Sequence, residues 1–444
     1  MALPLIVSTM SSTIMVFIDR IFLVWYSTEA VAAVLPSAML YFSVICFPTG
    51  VAAYVNTFVA QYEGAGRPRR IGPIVWQGIW IAAIATPLVL ATIPLARVPF
   101  TLAGHEPAIV DLEVACYRIL ALGSGAIILA AAQSSFFTGR GATRVVMLVD
   151  CSAALLNAGL DYAWIFGRFG FPAGGISGAA WATTTAEWYR VLFYAAIMLR
   201  PAYRHAYALA SGWRPSGVLM RRLLRYGGPG GLQWLLETTS FALFIMMVGR
   251  LGKDALASTN LAFNVNSLAW VPMMGLGIAV STLVGQHLGR NCPNLAARAT
   301  WTALVIALAY MGAIAVCYLL VPDWFLMGHA AGVSAATFAP LRRTTVVLLR
   351  FVAAYCLFDA LNLIFVSAIR GAGDMRFVLY TSLITAAMPV AATWWGLTRM
   401  GWGLLWCWSV ITLWVCSLGL IYMARFLQGR WRHMRVIETE GRQE

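Results

Sequence analysis

Four acidic side chains lie inside apolar segments that are long enough to cross a lipid bilayer: Asp19, Asp161, Glu237 and Asp359. Glu237 is the most isolated of them, because no other charged residue occurs within ten positions on either side. A charged, unpaired carboxylate near the bilayer centre costs several kcal/mol, so such a residue usually faces a cavity or a partner and marks an ion pathway. The chemistry that these acids indicate is the reversible binding of a small cation.

Two of the acids have a polar companion one helical turn away. Asn157 precedes Asp161 by four residues and Tyr355 precedes Asp359 by four, so each pair shares one face of a helix. Carboxylates that lie a few ångströms apart cannot both ionise easily, and such a group holds a proton or binds a monovalent cation through oxygen ligands. We therefore expect no cofactor, only H+ or Na+ as a coupling ion.

The acids are predicted to act as one pair in each half of the chain. Asp19 and Asp161 fall in the first half, whereas Glu237 and Asp359 fall in the second. If the coupling ion is Na+, a site at Glu237, Tyr355 and Asp359 would offer it carboxylate and phenol oxygens. We expect no transition-metal site, because the histidines and cysteines are scattered without a metal-binding spacing.

A structural interpretation stays open for several of these residues. Glu237 could be a protonated, hydrogen-bonded packing residue, and Asp161 lies near a helix end, where it could reach water. Arg20 directly follows Asp19 and would neutralise it if its side chain reached round the helix. Such a contact would leave Asp19 with a structural role.

Other intramembrane side chains have simpler interpretations. Glu187 and Arg190 are three residues apart and are predicted to form an ion pair within one helix. Trp234 and Phe241 flank Glu237 at helical spacing, where aromatic faces would suit an amphipathic organic cation. Core packing explains either ring equally well.

The composition identifies a protein that crosses the membrane many times. Of its 444 residues, 61% are hydrophobic and 11% charged, and no soluble protein of this size buries so much apolar surface. The net charge of +14 comes almost wholly from arginines near segment ends, which argues against a nucleic-acid partner and for the lipid bilayer. An enzyme is not expected, since no nucleophile–base or metal arrangement stands out, and no filter-like loop indicates a channel.

Hydropathy predicts an all-α membrane fold of twelve transmembrane helices. The predicted spans are 3–25, 31–60, 73–97, 112–137, 145–166, 175–199, 226–249, 255–286, 299–321, 341–368, 376–397 and 402–427. Arginines are concentrated in the connections after the even-numbered helices and in the tail, which the positive-inside rule makes cytoplasmic. Both termini are then predicted to lie in the cytoplasm.

The chain is predicted to be a tandem duplication. A single ungapped shift places Pro4 on Pro229, Gly50 on Gly275, Gln61 on Gln286 and Gly64 on Gly289. Repeats of this kind are a common transporter plan, with sites near the membrane midplane. We expect bundles at 1–199 and 226–428, a cytoplasmic linker at 200–225, and a frayed cytoplasmic tail at 429–444.

Several stretches resemble the multidrug and toxic compound extrusion (MATE) transporters. The similar segments are ALPLIVS, VFIDRIFLVW, TEAVAAV, LNAGLDYAWIFG, GFPAGGISGAAWAT, LQWLLETTSF, VGQHLGRN and AYCLFDALN. The resemblance implies two pseudo-symmetric six-helix bundles in a V shape that opens alternately to each side. It also implies export of cationic, amphipathic drugs from a bacterial cell across its inner membrane, in exchange for H+ or Na+. We expect the protein to act as a monomer.

By matching position, the resemblance implies two cation sites. Asp19, Asn157 and Asp161 would form the site of the first bundle, and Glu237, Tyr355 and Asp359 that of the second. The main alternative within the wider superfamily is a flippase for lipids or lipid-linked oligosaccharides. A flippase would need anion-binding arginines in its cavity, for which Arg20, Arg118 and Arg190 are the candidates.

Overall fold

All regular structure in the described part of the chain is helical, and twelve helical segments are long enough to span a bilayer. The computed structural model describes residues 1–330 and 335–438. The long helices are α1 (Ala2–Tyr26), α2 (Thr28–Ala53, continued by Val55–Gly64), α3 (Ile71–Leu90), α4 (Pro107–Leu122 and Ser124–Gly139), α5 (Thr143–Ile165), α6 (Gly175–Met198), α7 (Gly217–Gly249), α8 (Lys253–Gly289), α9 (Pro293–Leu320), α10 (Ala335–Ala372), α11 (Met375–Arg399) and α12 (Leu404–Leu427).

Shorter helical segments connect several of these helices. They are the 3-10 turns Pro68–Arg70 and Ile93–Leu95, which extend α3, the helices Arg97–Leu102, Pro201–Arg204 and Pro322–Ala330, and the 3-10 turn Arg430–His433. The helix α7 begins at Gly217, so the end of the predicted linker 200–225 is part of a long helix.

Ten of the long helices are apolar enough to cross a membrane by themselves, and the two segments of α4 form an eleventh, bent span. The remaining helix, α6, has 24 residues, or about 36 Å at ~1.5 Å per residue, which exceeds the ~30 Å hydrocarbon core. Its apolar character is reduced by Glu187 and Arg190, which lie in its interior. Length and position therefore make α6 the twelfth span.

The bend in α4 has a local cause at Gly123. The two segments meet there at 42°, and a Cβ on Gly123 would lie 2.8 Å from Thr184 Oγ1 of α6. The Thr184 hydroxyl donates a hydrogen bond to the Ile119 carbonyl at 3.3 Å, so it competes with the backbone inside the helical ladder. A side chain that enters the ladder in this way is a common cause of a helix bend.

The described residues form two compact units. Unit 1 contains Met1–Leu235, Gly289–Asn291 and, at the end of the described chain, residues 435–438, whereas unit 2 contains Leu236–Leu288 and Cys292–Met434. Within unit 1, α5 packs against both α1 and α6. This three-helix packing positions the candidate site.

Two glycines lie where helices approach too closely for any side chain. A Cβ on Gly289 would overlap the Gln61 carbonyl oxygen in unit 1, and a Cβ on Gly371 would overlap that of Ser281 in unit 2. Backbone atoms of a packed helix cannot move aside to make room for a methyl group. The repeated segments therefore include glycines that the packing requires.

The C-terminal segment is not frayed at 435–438, so that prediction is wrong for these residues. The Val436 N–H donates to Gln61 Oε1 at 2.8 Å, and Arg222 donates to the Val436 carbonyl at 2.7 Å. Val436 and Ile437 are both buried. The prediction failed because a polar tail carries no periodic signal of a docking partner. The rest of the predicted tail, 439–444, lies outside the described residues.

Glu438 fixes the end of this segment. The Tyr62 hydroxyl donates to its carboxylate at 2.9 Å, and the Arg222 guanidinium forms an ion pair with it. Burial raises the pKa of Glu438, but hydrogen bonds from the backbone and Tyr62 and the charges of Arg222 and Arg70 outweigh burial and hold that pKa below 4.5. The ionised carboxylate is therefore stabilised in the folded protein.

We expect Glu438→Gln to lower the stability of the purified protein in detergent at neutral pH by about 1–3 kcal/mol, because it removes a charge-assisted contact. The lowered pKa means that this contribution is complete above the ordinary value of 4.5 and is lost as the pH falls through the folded-state pKa. Thermal unfolding of both proteins between pH 7 and pH ~3 would measure it.

Glu106→Gln is the matched control, because Glu106 is exposed and forms no ion pair among the residues that the structure describes. An equal loss of stability in both variants at pH 7, or a Glu438→Gln loss that persists at the lowest pH, would contradict this account of the tail.

Candidate cation site

The buried face of α5 carries two of the polar residues on which the site depends, Asn157 and Asp161. Buried positions on this helix recur every three or four residues and include Asp150, Ala153, Asn157 and Asp161. Asp161 is fully buried although α5 ends only four residues later, at Ile165. The alternative in which this acid reaches water at a helix end is therefore excluded by its burial.

Asp19 of α1 meets this face of α5 and the neighbouring α6. With its amide nitrogen turned towards the acids, Asn157 donates to Asp19 Oδ1 at 2.8 Å and to Asp161 Oδ2 at 3.0 Å. Its oxygen then accepts from the Thr183 N–H at 3.3 Å, and the Thr183 hydroxyl donates to Asp19 Oδ2 at 3.3 Å. One amide therefore joins two carboxyl groups from different helices.

The site holds two acids and no basic residue in contact with them among the described residues. Among the described residues, neither Asp19 nor Asp161 forms an ion pair, and Asp161 Oδ1 is buried without a hydrogen-bond donor. Arg20 is exposed, and its charge acts on Asp19 without direct contact. Arg20 therefore does not neutralise Asp19 as an ion-pair partner. The two carboxyl groups lie within hydrogen-bonding reach of each other, so they can share one proton or surround one monovalent cation.

The second predicted set is arranged differently. Tyr355 is buried on α10, where its hydroxyl accepts from Asn266 Nδ2 of α8 at 3.4 Å, and Asn362 faces the Asp359 carboxyl one turn further along. Asn266 Oδ1 is buried without a hydrogen-bond partner in the described part of the chain. These four residues therefore bring several oxygen atoms together in unit 2.

Glu237 of α7 is half-buried. It accepts a hydrogen bond from the Ser382 hydroxyl of α11 at 3.5 Å, and Tyr422 of α12 lies in its electrostatic range. These partners differ from those of Asp359, so the predicted Glu237–Asp359 pair stays a prediction. The ring of Phe241 packs against that of Phe263, with 5.1 Å between the ring centroids.

The structure brings Asp19, Asn157 and Asp161 together, and it adds residues that the sequence analysis did not single out. Thr183 is the last residue of the GFPAGGISGAAWAT segment and lies one turn before Glu187, so its position was a usable signal. Asn266 and Ser382 carried no such signal, because isolated amides and hydroxyls are common in membrane helices.

The MatE family model matches residues 4–163 and 229–395, one stretch in each repeat. The chain belongs to the MatE family. Its twelve-helix fold is the MATE fold, and the members of this family are transporters rather than enzymes.

Two of the relatives of this chain are named as multidrug resistance proteins. The probable multidrug resistance protein NorM of Xanthomonas axonopodis pv. citri is 28% identical over 400 residues, covering 88% of this chain and 85% of the relative. The multidrug resistance protein PmpM of Pseudomonas aeruginosa is 27% identical over 385 residues, covering 86% and 80%.

Solved structures with the same fold share about a fifth of their residues with this chain. An outward-facing multidrug resistance MATE transporter of the MOP superfamily matches with a TM-score of 0.87 and 20% identity. The match covers 99% of this chain and 95% of that structure. A MOP superfamily transporter from Pyrococcus furiosus also matches, with a TM-score of 0.87 and 20% identity over 97% of this chain and 94% of that structure. That transporter is described as having a binding pocket of reversed polarity, which suggests a different function. Because the fold serves different functions, the cargo must be argued from the site.

We expect Asn157→Ala to lower stability by about 1–3 kcal/mol, because the buried Asp161 and the half-buried Asp19 lose a shared donor. Thermal unfolding in detergent at neutral pH would measure the loss. Asn264→Ala is the matched control, since Asn264 is exposed on α8. A similar effect of the two substitutions would contradict the bridging role of Asn157.

Proposed function

We propose that this protein is a secondary active transporter that exports cationic, amphipathic organic molecules in exchange for H+ or Na+. The observation that carries the proposal is the pair of acids, half-buried Asp19 and buried Asp161, which share the Asn157 amide and have no basic ion-pair partner among the described residues. An uncompensated negative charge at this depth favours the binding of any cation that can reach it.

Exchange follows from competition for the same charge. When H+ or Na+ occupies the carboxyl oxygens, the site no longer attracts an organic cation, and the cargo leaves. The coupling ion drives transport only if its affinity differs between the inward-facing and outward-facing states. Entry of the ion from outside would then release cargo on that side, and release of the ion inside would restore the empty, negatively charged site.

The set Glu237, Tyr355 and Asp359 is the proposed second site of the same kind, and it is the proposed Na+ site if Na+ is the coupling ion. Its oxygen-rich surroundings, which now include Asn266 and Ser382, support this assignment. The aromatic rings near Glu237 give weaker support for cargo binding, because Trp234 stacks with Phe42 and Phe241 packs against Phe263.

The arginine distribution supports the proposed inner-membrane location with both termini in the cytoplasm. The protein is proposed to act as a monomer, because nothing about the site requires a second copy. The positions of the three candidate arginines argue against the flippase alternative. Arg20 and Arg118 are exposed, and Arg190 is already paired with Asp150 and Glu187. None of them forms part of the Asp19–Asp161 site.

Efflux of a fluorescent organic cation from proteoliposomes tests the proposal. We expect efflux to follow either an imposed proton gradient or an imposed sodium gradient. Asp19→Asn and Asp161→Asn should reduce the rate by about tenfold or more, a barrier increase of at least ~1.4 kcal/mol. Glu237→Gln and Asp359→Asn, run in parallel, would report whether the second set is also required.

Asp111→Asn is the matched control, because Asp111 is an exposed acid whose ion-pair partner is the exposed Arg97. If no gradient moves the dye through the wild-type protein, or if all four variants match the control, the exporter assignment is wrong and a flippase becomes the leading alternative. Insertion and yield must be equal for the comparison to be valid.

Binding of the coupling ion should also be visible without transport. We expect the unfolding temperature to rise as the ion is added, since an ion at a hundred times its Kd stabilises the folded state by about 2.7 kcal/mol. Titrations with NaCl, with choline chloride at equal ionic strength as reference, and with acid would identify the ion. Asp161→Asn should remove most of the increase; an unchanged increase would place the ion elsewhere.

A further inference from the structure

A second buried charge network lies in unit 1 and plays no part in the site described above. Asp150 of α5 is its centre. Asp150 Oδ1 accepts from Arg190 Nε at 3.1 Å and from the Tyr194 hydroxyl at 3.0 Å, while Oδ2 accepts from the Ser8 hydroxyl of α1. Arg190 and Tyr194 both belong to α6, so this acid ties three helices together.

Glu187 is the second acid of the network. Its ion pair with Arg190 confirms the contact predicted from the sequence. Its two carboxylate oxygens accept from Arg190 Nη1 at 3.0 and 2.9 Å. Asp150 holds the other two nitrogens, since Nη2 lies 3.0 Å from Oδ1. The Asp150 and Glu187 side chains are only 6% and 9% exposed. Two buried carboxylates therefore share one guanidinium.

The charge count leaves one acid in excess. With both acids ionised, the network carries a net charge of minus one, because Arg190 neutralises only one of them. Asp150 is fully engaged by Arg190, Tyr194 and Ser8, whereas a single nitrogen of Arg190 is the one side-chain donor to Glu187 within the described ranges. Glu187 is therefore the acid that can accept a cation without breaking the remaining contacts.

The network occupies the same helix faces as the Asp19–Asp161 site. On α5, Asp150 precedes Asn157 by seven residues, which is about two turns or ~10 Å. On α6, Glu187 follows Thr183 by four residues, which is about one turn or ~6 Å. Because α5 and α6 run in opposite directions, a step back along α5 from Asn157 to Asp150 and a step forward along α6 from Thr183 to Glu187 lead to the same side of the membrane. This is the side that the arginine distribution predicts to be cytoplasmic.

The surroundings offer no further compensating charge. From α2, Tyr41 lies in electrostatic range of Glu187, and Tyr117 of α4 is close to Tyr41. Arg118 of α4 is exposed. In the part of the chain that the structure describes, the only ion pairs of Asp150 and Glu187 are those with Arg190.

We propose that Glu187 is a further binding position for the coupling cation, between the Asp19–Asp161 site and the cytoplasmic side of unit 1. Asp150 is a positioning residue that holds Arg190 and so leaves Glu187 available. The ligand is a monovalent cation that a carboxylate can take up, either H+ or Na+. This inference rests on the proposed function, because it requires a cation to pass through unit 1.

The test compares Glu187→Gln with wild type in the proteoliposome efflux experiment, with Asp111→Asn as the control. We expect Glu187→Gln to slow efflux about tenfold and to change the H+ or Na+ concentration that gives half-maximal efflux. Dye affinity and the unfolding temperature of the detergent-solubilised protein should stay close to wild type, because the Asp150–Arg190 pair remains. Separate proton-gradient and sodium-gradient arms identify which ion uses this position.

Asp150→Asn is the second variant, should Glu187→Gln fail to fold. It leaves one acid for one arginine, so Glu187 becomes the full partner of Arg190 and efflux should also slow. The inference is overturned if Glu187→Gln keeps the wild-type rate and ion dependence. It is also overturned if the rate falls only in proportion to lost stability, with the ion dependence unchanged.

Asp161→Asn separates this inference from the proposed function. If Asp161→Asn abolishes efflux while Glu187→Gln resembles wild type, only the inference about Glu187 fails. If Asp161→Asn itself resembles wild type, unit 1 does not bind the coupling ion, and the inference about Glu187 fails. The proposed function fails only if Asp19→Asn, Glu237→Gln and Asp359→Asn match the control as well.

Discussion

An excess of acidic over basic side chains in the interior of unit 1 is the constraint on which this unit depends. Each of two neighbouring layers holds two acids, Asp19 with Asp161 and Asp150 with Glu187, and of these two layers only the second contains a basic residue. In a low-dielectric interior these groups persist only if hydrogen-bond donors surround them. The rest of α1, α5 and α6 supplies those donors from amides, hydroxyls and one guanidinium.

This arrangement favours the proposed functional role of the four acids over a purely stabilising one. Replacing a buried ion pair by well-packed apolar residues is often neutral or favourable for folding. A protein selected only for stability would have little use for four acids on three adjacent helices. The long apolar helices, the glycines at close contacts and the bend at Gly123 provide a framework rigid enough to hold them.

Much of the fold could be predicted from the sequence, because long apolar segments separated by arginines and glycines leave few alternatives in a bilayer. The grouping of Asp19, Asn157 and Asp161 was also accessible, through helical spacing and the MATE resemblance. The Glu187–Arg190 pair followed from spacing along one helix. Contacts between helices were not accessible in the same way: the part of Asp150 in the second layer depends on how α5 packs against α6, which no periodicity records.

The tail illustrates the same limit at another scale. Val436 and Glu438 dock through backbone atoms and through single side chains of Gln61, Tyr62 and Arg222. A short polar segment of this kind has no repeat, no amphipathic pattern and no charge run. Its partner lies hundreds of positions away in the chain, so only the three-dimensional structure reveals the contact.

The membership of residues 435–438 in unit 1 has a consequence for biosynthesis. The ribosome makes all of unit 2 between the main part of unit 1 and this last segment. The contacts of Gln61, Tyr62 and Arg222 with this segment can therefore form only after nearly the whole polypeptide has been translated. A nascent chain stalled before Val436 would contain every transmembrane helix and still lack the last segment of its first unit.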